Sequence, residues 1–312
     1  MHSEADEKTD ASSFVHHALE RYLLTGVRVE HLADSFNTIY RIRADEGDFA
    51  LRVGPADGIH RPGVGEAEAR WTEQLARSGL AVPRVIRTTD GAETVIDPDG
   101  SWRATMLTWL TGMPVPVPPT SRDIEALGEL SARLQTATPP TATLPRGVLD
   151  ARDPFAFVVP IALSTAPEPH RALLRRGEEV AREAVATLWA TADEPPRVIH
   201  FDLTPRNVVR MPDGGLGAID FQDIAWGHRA HDIAHSIFGA TRGEWSVAAL
   251  AAFRAGYSRH GEWPTIDNCL LRRLFVARRV SMINLTLALR RPGHEEILAR
   301  HLTALAAAVD SL

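Results

Sequence analysis

The sequence predicts an α+β protein of two lobes, a small antiparallel sheet lobe followed by a larger, mostly helical one. Three observations predict it. The chain has 312 residues, about twice the ~150 of a typical domain. Short alternations of apolar and polar residues crowd into the first third, and long patterns with apolar residues at i, i+3 and i+4 fill the rest. One non-helical island, residues 198–219, interrupts those helical patterns.

Taken in order, residues 1–13 carry Glu4, Asp6, Glu7 and Asp10 without an apolar run. They read as a solvated tail, neither a secretory signal nor an Arg-rich transit peptide. A helix is predicted over Phe14–Leu24. Val27–Leu32, Thr38–Ile42 and Phe49–Val53 alternate in polarity and are separated by Asp34-Ser35 and Asp45-Glu46-Gly47-Asp48, which predicts strand, turn, strand, turn, strand. The Pro/Gly break Gly58–Gly65 precedes a helix over Glu66–Ser78 that stops at Gly79, and Val82–Arg87 and Trp102–Leu107 are two further strands. Leu110–Thr120 (LTGMPVPVPPT) is rich in proline, which continues neither a helix nor a central strand. The lobes therefore divide there, with 14–108 as the sheet lobe, 109–120 as the linker and 121–312 as the helical lobe. Helices are predicted over Arg122–Gln135, Arg171–Trp189, Glu244–Ser258, Leu270–Leu289 and Glu295–Val309, and short strands over Val198–His200, Val208–Arg210 and Leu216–Ile219.

Composition excludes several functions. Lys and Arg total 34 against 40 Asp and Glu, a net charge of −6 without a basic block, so a nucleic-acid partner is not expected. The longest apolar runs, such as Val280–Leu289, contain polar breaks and fall short of the ~18 residues of a membrane helix. A soluble, cytoplasmic protein follows, and a homodimer is compatible with it. Cys269 is the only cysteine, which removes an internal disulfide and any Cys-based metal centre. Lys8 is the only lysine, so a folded site has almost nowhere to draw one from.

The island carries the chemistry. It contains His200-Phe-Asp202-Leu-Thr-Pro-Arg-Asn207, followed by Ala218-Ile-Asp220-Phe-Gln-Asp223. H-x-D-L-x-x-x-N and a later aspartate at a strand end are the pattern of phosphoryl transfer. A hydroxyl that attacks phosphorus needs a carboxylate to orient it and accept its proton, which suits Asp202. The phosphates need Mg²⁺, whose hard oxygen ligands come from separate positions, Asn207 and Asp220. His200 braces the loop. A polar turn in which Asp202 and Asn207 bond local backbone is the structural alternative.

The segment from His200 to Ala234 (HFDLTPRNVV…LGAIDFQDIAWGHRAHDIA) resembles the aminoglycoside phosphotransferase and choline kinase family, which has a protein-kinase-like fold. Within it, Ile-Asp-Phe-x-Asp-x-x-x-Gly followed by Asp-Ile-Ala is similar to homoserine-kinase-like and stress-response-kinase-like members. The resemblance implies an ATP-dependent phosphotransferase acting on a small hydroxylated molecule, with Asp202 as catalytic base and Asn207 and Asp220 on Mg²⁺. Asp232 matches a structural aspartate, and Asp223 is open between a metal or acceptor contact and a turn. The first lobe should hold ATP. Its third strand normally ends in a lysine that grips the α/β-phosphates and pairs with a helix glutamate; here Arg52 takes the place, with Glu68 as partner and Glu66 as the alternative.

Two departures stand out. The loop Ala33–Thr38 has no glycine, so phosphate contact falls to Ser35, Asn37 and main-chain N–H groups, and Phe201 stands where the family usually has a small residue. Thr108-Trp109-Leu110 would connect the lobes, the backbone of Thr108 and Leu110 reading the adenine edge. Gly63-Val-Gly65 lacks the third glycine and the strand-to-helix setting of a dinucleotide fingerprint. His228, His231 and His235 share one helix face, with packing and capping as the default and zinc as the alternative. The missing lysine and glycines keep open a non-catalytic nucleotide-binding module, and a protein Ser/Thr kinase or a metal-dependent hydrolase are further readings. For the acceptor, Glu244, Glu262, Asp267, Glu295 and Glu296 are available to a cation, and the Arg272-Arg273 and Arg278-Arg279 pairs to a carboxylate or phosphate.

Overall fold

The computed structural model describes residues 14–56 and 58–312; the expected tail over 1–13 lies outside the described residues. A short helix, α1 (residues 14–19), buries Phe14, Val15 and Ala18 against the first sheet. That sheet is built from β1 (Arg28–Asp34), β2 (Thr38–Ala44), β3 (Gly47–Pro55), β4 (Val85–Ile86), β5 (Val95–Ile96) and β6 (Trp102–Thr108), and α2 (Val64–Arg77) follows β3. All pairings are antiparallel, in the order β1-β2-β3-β6-β4, with β5 also on β6. Ala44 faces Gly47 across the two-residue turn Asp45-Glu46, which fixes the β2/β3 register. Alternation along β3 sends Leu51 and Val53 into a core with Ile42, Ala104 and Met106. Arg52 points to the opposite face, toward α2. The expected strand over Val82–Arg87 shrinks to β4 because Pro83 has no N–H to donate.

The helical lobe contains β7 (Met113–Pro114), α3 (Ser121–Ala137), β8 (Leu149–Asp150), α4 (Arg171–Thr191), β9 (Arg197–Ile199), β10 (Val208–Arg210), β11 (Leu216–Ala218), β12 (Ala225–Gly227), α5 (Arg229–Ala240), α6 (Val247–Tyr257), α7 (Asn268–Leu289) and α8 (His294–Asp310). Helix starts follow side-chain caps. Thr120 and Asp123 form a capping box on α3, Ser246 accepts from the Ala249 N–H on α6, and Asp267 accepts from the Leu270 N–H on α7. The Ser246 cap is why α6 begins three residues later than its apolar pattern suggests. The proline-rich segment also departs from expectation: Met113–Pro114 pairs with β10 as an edge strand, where a missing N–H is tolerated. Helix α2 buries Val64, Ala67, Glu68, Trp71, Thr72 and Leu75 on one face, and Trp71 packs edge-on against Phe221 of the helical lobe, ring centroids 5.2 Å apart. The element that carries Glu68 is thus anchored in both lobes.

Helices α3 and α6 approach closely at two glycines. A Cβ on Gly256 would lie 1.8 Å from the Glu125 carbonyl oxygen, and one on Gly128 would lie 2.0 Å from that of Phe253. Backbone cannot give way as a side-chain tip can, so Gly256→Ala should destabilise the protein by about 3 kcal/mol or more. Urea denaturation of the variant checks this.

Candidate active site

The cleft between the lobes holds a cavity of about 240 Å³ lined by Ser35, Asn37, Asp202, Asn207, Asp220 and Asp223 among others. Three segments converge there. The loop after β9 brings Asp202, the turn Pro205–Asn207 brings Asn207, and the loop after β11 brings Asp220 and Asp223. His200 is fully buried, bonds the Ile219 carbonyl through Nε2 at 3.1 Å and packs on Phe221 at 4.7 Å, tying the first of these loops to the third.

Asp202 is held at both oxygens. Asn207 Nδ2 donates to Oδ2 at 2.7 Å and to the Asp202 carbonyl at 2.9 Å, while Arg278 of α7 donates to Oδ1 at 2.7 Å. Desolvation in the cleft pushes the Asp202 carboxyl up to about 7, Arg278 and Asn207 opposing the rise and Asp223 and Asp220 adding to it. Half of the Asp220 side chain faces the open cleft, yet the cleft is deep, and lost solvation with the charges of Asp223 and Glu68 raises its pKa despite Arg52. Asp223 goes the other way. Burial would raise it, but a 2.7 Å bond to His60 Nε2 and the charges of His60 and Arg278 hold it below the usual carboxylate range. Asp223, left open by the sequence, is therefore paired with His60, whose Nδ1 meets Arg103 at 3.2 Å.

Above this group, Arg52 and Glu68 form a bidentate pair at 3.0 and 2.5 Å, exposed by only 5% and 1%. Glu66 is exposed in the first turn of α2 and takes no part. Arg52 Nη1 lies 3.9 Å from Asp220, which links the two halves of the site. Ser35 and Asn37 line the cavity with their donors turned inward: the Ser35 N–H and hydroxyl both reach the Asn37 carbonyl, and Asn37 Nδ2 donates across the cleft to Gln222 at 2.7 Å. Gly54 makes room for Asn37, since a Cβ there would sit 2.0 Å from its Oδ1. Thr108 bonds Arg84 through its N–H and its hydroxyl, and the Trp109 N–H bonds the Asp48 carbonyl. Trp109 lies under the Arg41 guanidinium at 4.4 Å, and Leu110 sits against Gly217.

Phe201 and Asp220 are non-glycine residues in the left-handed region, with φ of 66° and 63°. Such backbone costs roughly 1 kcal/mol or more and persists where surroundings enforce it. For Phe201 the enforcement is visible: its N–H donates to Asp232 Oδ1 at 2.7 Å, its carbonyl meets His235 Nδ1 at 2.8 Å, and its buried ring packs on Phe157 and His235. Its ring points into the core. His235 is engaged by that carbonyl and His231 Nδ1 by the His228 N–H, and among the described residues no group of three His, Cys, Asp or Glu side chains is placed to hold a metal on its own.

A Mg²⁺ ion would need oxygen donors beyond such a cluster, and the residues present fit it. Asn207 commits its amide nitrogen to Asp202, which leaves the amide oxygen as its remaining donor atom, and Asp220 presents a half-exposed carboxylate to the same cavity. The family model described as "Phosphotransferase enzyme family" matches residues 29–268, most of the chain and every residue of this constellation but Arg278. The chain belongs to the phosphotransferase enzyme family. Solved structures agree in fold along most of the length of this phosphotransferase. The amicoumacin kinase hAmiN, in complex with AMP-PNP, Ca²⁺ and Ami, aligns with a TM-score of 0.74 at 18% identity over 98% of this chain and 96% of that one. A microcompartment-associated aminopropanol kinase gives 0.73 at 20% over 96% and 95%. A thermostable mutant of aminoglycoside phosphotransferase APH(4)-Ia, in a ternary complex with ADP and hygromycin B, gives 0.63 at 15% over 96% and 98%. No curated protein matches by sequence. The α+β kinase-like fold expected from the sequence is the fold of this phosphotransferase, and no described helix is long and apolar enough to cross a membrane.

Proposed function

We propose that this phosphotransferase moves the γ-phosphoryl group of ATP to a hydroxyl of a small molecule. One observation carries the reading: Asp202, Asn207 and Asp220 line a single interlobe cavity, with the buried Arg52–Glu68 pair next to Asp220. Asp202 orients the acceptor hydroxyl and takes its proton while the acceptor oxygen bonds to phosphorus and the bond to the β-phosphate oxygen breaks, releasing ADP. Arg52, fixed by Glu68, directs the rest of its guanidinium fork at the phosphates. Asn207 and Asp220 would hold Mg²⁺, which when bound neutralises phosphate charge. Ser35 and Asn37 cover the phosphates once their present bonds are exchanged for them, and the backbone of Thr108 and Leu110, at the hinge formed by 109–120, reads the adenine edge. A cytoplasmic setting, where ATP and Mg²⁺ are abundant, goes with this reading.

ADP release measured over a panel of alcohols with and without Mg²⁺ tests it. Chelation by EDTA should abolish turnover. Asp220→Ala should weaken Mg·AMP-PNP binding by about tenfold or more in a calorimetric titration, the loss of one charged metal ligand. Unchanged affinity in that variant would remove the metal assignment.

A further inference from the structure

The loop that leads from β1 to β2 is held from the other lobe. Arg291 stands in the turn between α7 and α8, and its guanidinium donates to the Ser35 carbonyl through Nη1 and to the Phe36 carbonyl through Nη2 at 3.4 Å. The same group lies over the Phe36 ring, 4.2 Å from its centre, and that ring packs against the hydrophobic cluster that includes Leu285 of α7. The turn is itself built to present the arginine. Arg290 takes a left-handed conformation, φ 46°, as α7 ends, and the Arg291 carbonyl meets the His294 N–H at 2.9 Å and its Nδ1 at 3.0 Å. Ser35, Phe36 and Asn37 all line the cavity and Arg291 does not, so its effect on a ligand there passes through the loop.

Gripping the carbonyls fixes what the loop offers on its other side. In a trans peptide the N–H of the next residue points opposite to the carbonyl, and the peptides of this loop are trans. Holding the Ser35 and Phe36 carbonyls toward Arg291 therefore turns the Phe36 and Asn37 N–H groups away from it, and among the described residues neither N–H takes part in a hydrogen bond. A loop that meets phosphates commonly reaches such an arrangement through glycine; the segment Ala33–Thr38 has none. We infer that Arg291 is a positioning residue for the nucleotide, fixing the β1–β2 loop from the helical lobe so that the Phe36 and Asn37 N–H groups receive phosphate oxygens. The ligand rests on the phosphotransfer reading, whereas the grip on the loop stands on its own contacts.

Arg291→Met keeps bulk over Phe36 but donates nothing, and at this exposed position it should leave Tm within about 2 °C of the parent. In calorimetric titrations of the full chain it should weaken Mg·AMP-PNP by about tenfold and adenosine by less than about twofold, because adenosine carries no phosphate for the loop to meet. Arg290→Met removes a like charge one position away and should change neither affinity by more than about twofold, which separates the hold on the loop from the field of a cation. Hydrogen exchange without nucleotide reads the grip directly: across Ala33–Thr38 it should run at least about fivefold faster in Arg291→Met than in the parent. An equal loss for adenosine and Mg·AMP-PNP, an equal loss in Arg290→Met, unchanged Mg·AMP-PNP affinity, or unchanged exchange would each overturn the inference. The two readings fail separately: a parent chain that binds no Mg·AMP-PNP counts against phosphotransfer at this site and removes the nucleotide from the inference, whereas the exchange experiment decides the grip alone.

Discussion

Asp202→Asn should lower phosphoryl transfer by about a thousandfold, within the range that general-base catalysis contributes, while Mg·AMP-PNP affinity stays within a factor of about three. Two losses combine. The amide cannot accept the acceptor's proton, and it cannot satisfy both neighbours that now hold the carboxylate. Arg278 and Asn207 each donate to a different oxygen of Asp202. An asparagine can offer its oxygen to one of them only, and its NH₂ group would then face the other donor. The side chain should leave its present position as well as lose its basicity. Single-turnover transfer with saturating nucleotide separates this from a binding defect. A variant that keeps turnover within about tenfold of the parent would show that Asp202 is not the base.

Arg52→Met should cost about 3–5 kcal/mol of stability and lower Tm by about 10 °C, because it leaves the Glu68 carboxylate buried without its partner. Glu68 is 1% exposed and both of its oxygens meet Arg52. The double variant Arg52→Met, Glu68→Leu separates folding from function. Replacing a whole buried pair with apolar side chains is often neutral, so the second substitution should restore most of the lost Tm. Nucleotide affinity should not return with it, since no other cation stands at that place on β3. Scanning calorimetry paired with AMP-PNP titration reads both effects, and a double variant that recovers nucleotide affinity would show that Arg52 acts only through folding.

What could be read in advance followed the length scale of each interaction. The catalytic loop is contiguous, His200, Asp202 and Asn207 lying within eight residues, so its chemistry survives as a string. The pair Arg52–Glu68 spans 16 positions and was expected only because the family resemblance sets a strand cation against a helix glutamate; no local pattern in either segment names its partner. Arg278 meets Asp202 across 76 positions and His60 meets Asp223 across 163; nothing local in either neighbourhood signals a partner so far along the chain. The strands β5, β7, β8 and β12 have two or three residues each, too few for an alternation to show. Phe201 and Asp220 carry the left-handed backbone usually given to glycine, and only the surrounding bonds reveal why Phe201 adopts it.

The arginine on β3 also sets how the enzyme meets its surroundings. Burial would lower the charge-holding power of Arg52, but the adjoining Glu68, with Asp220 and Asp223 behind it, raises its pKa above the ordinary guanidinium value. A lysine in that place would lose its proton toward alkaline pH; a guanidinium does not in any medium where the protein is folded. On the phosphotransfer reading proposed above, the cation that would meet the phosphates is therefore constant, and alkaline conditions should leave the nucleotide end of the reaction electrostatically unchanged. The same substitution removes the primary amine on which lysine-directed acyl-phosphate nucleotide probes depend, so this kinase-like site would pass unlabelled through a survey that relies on them.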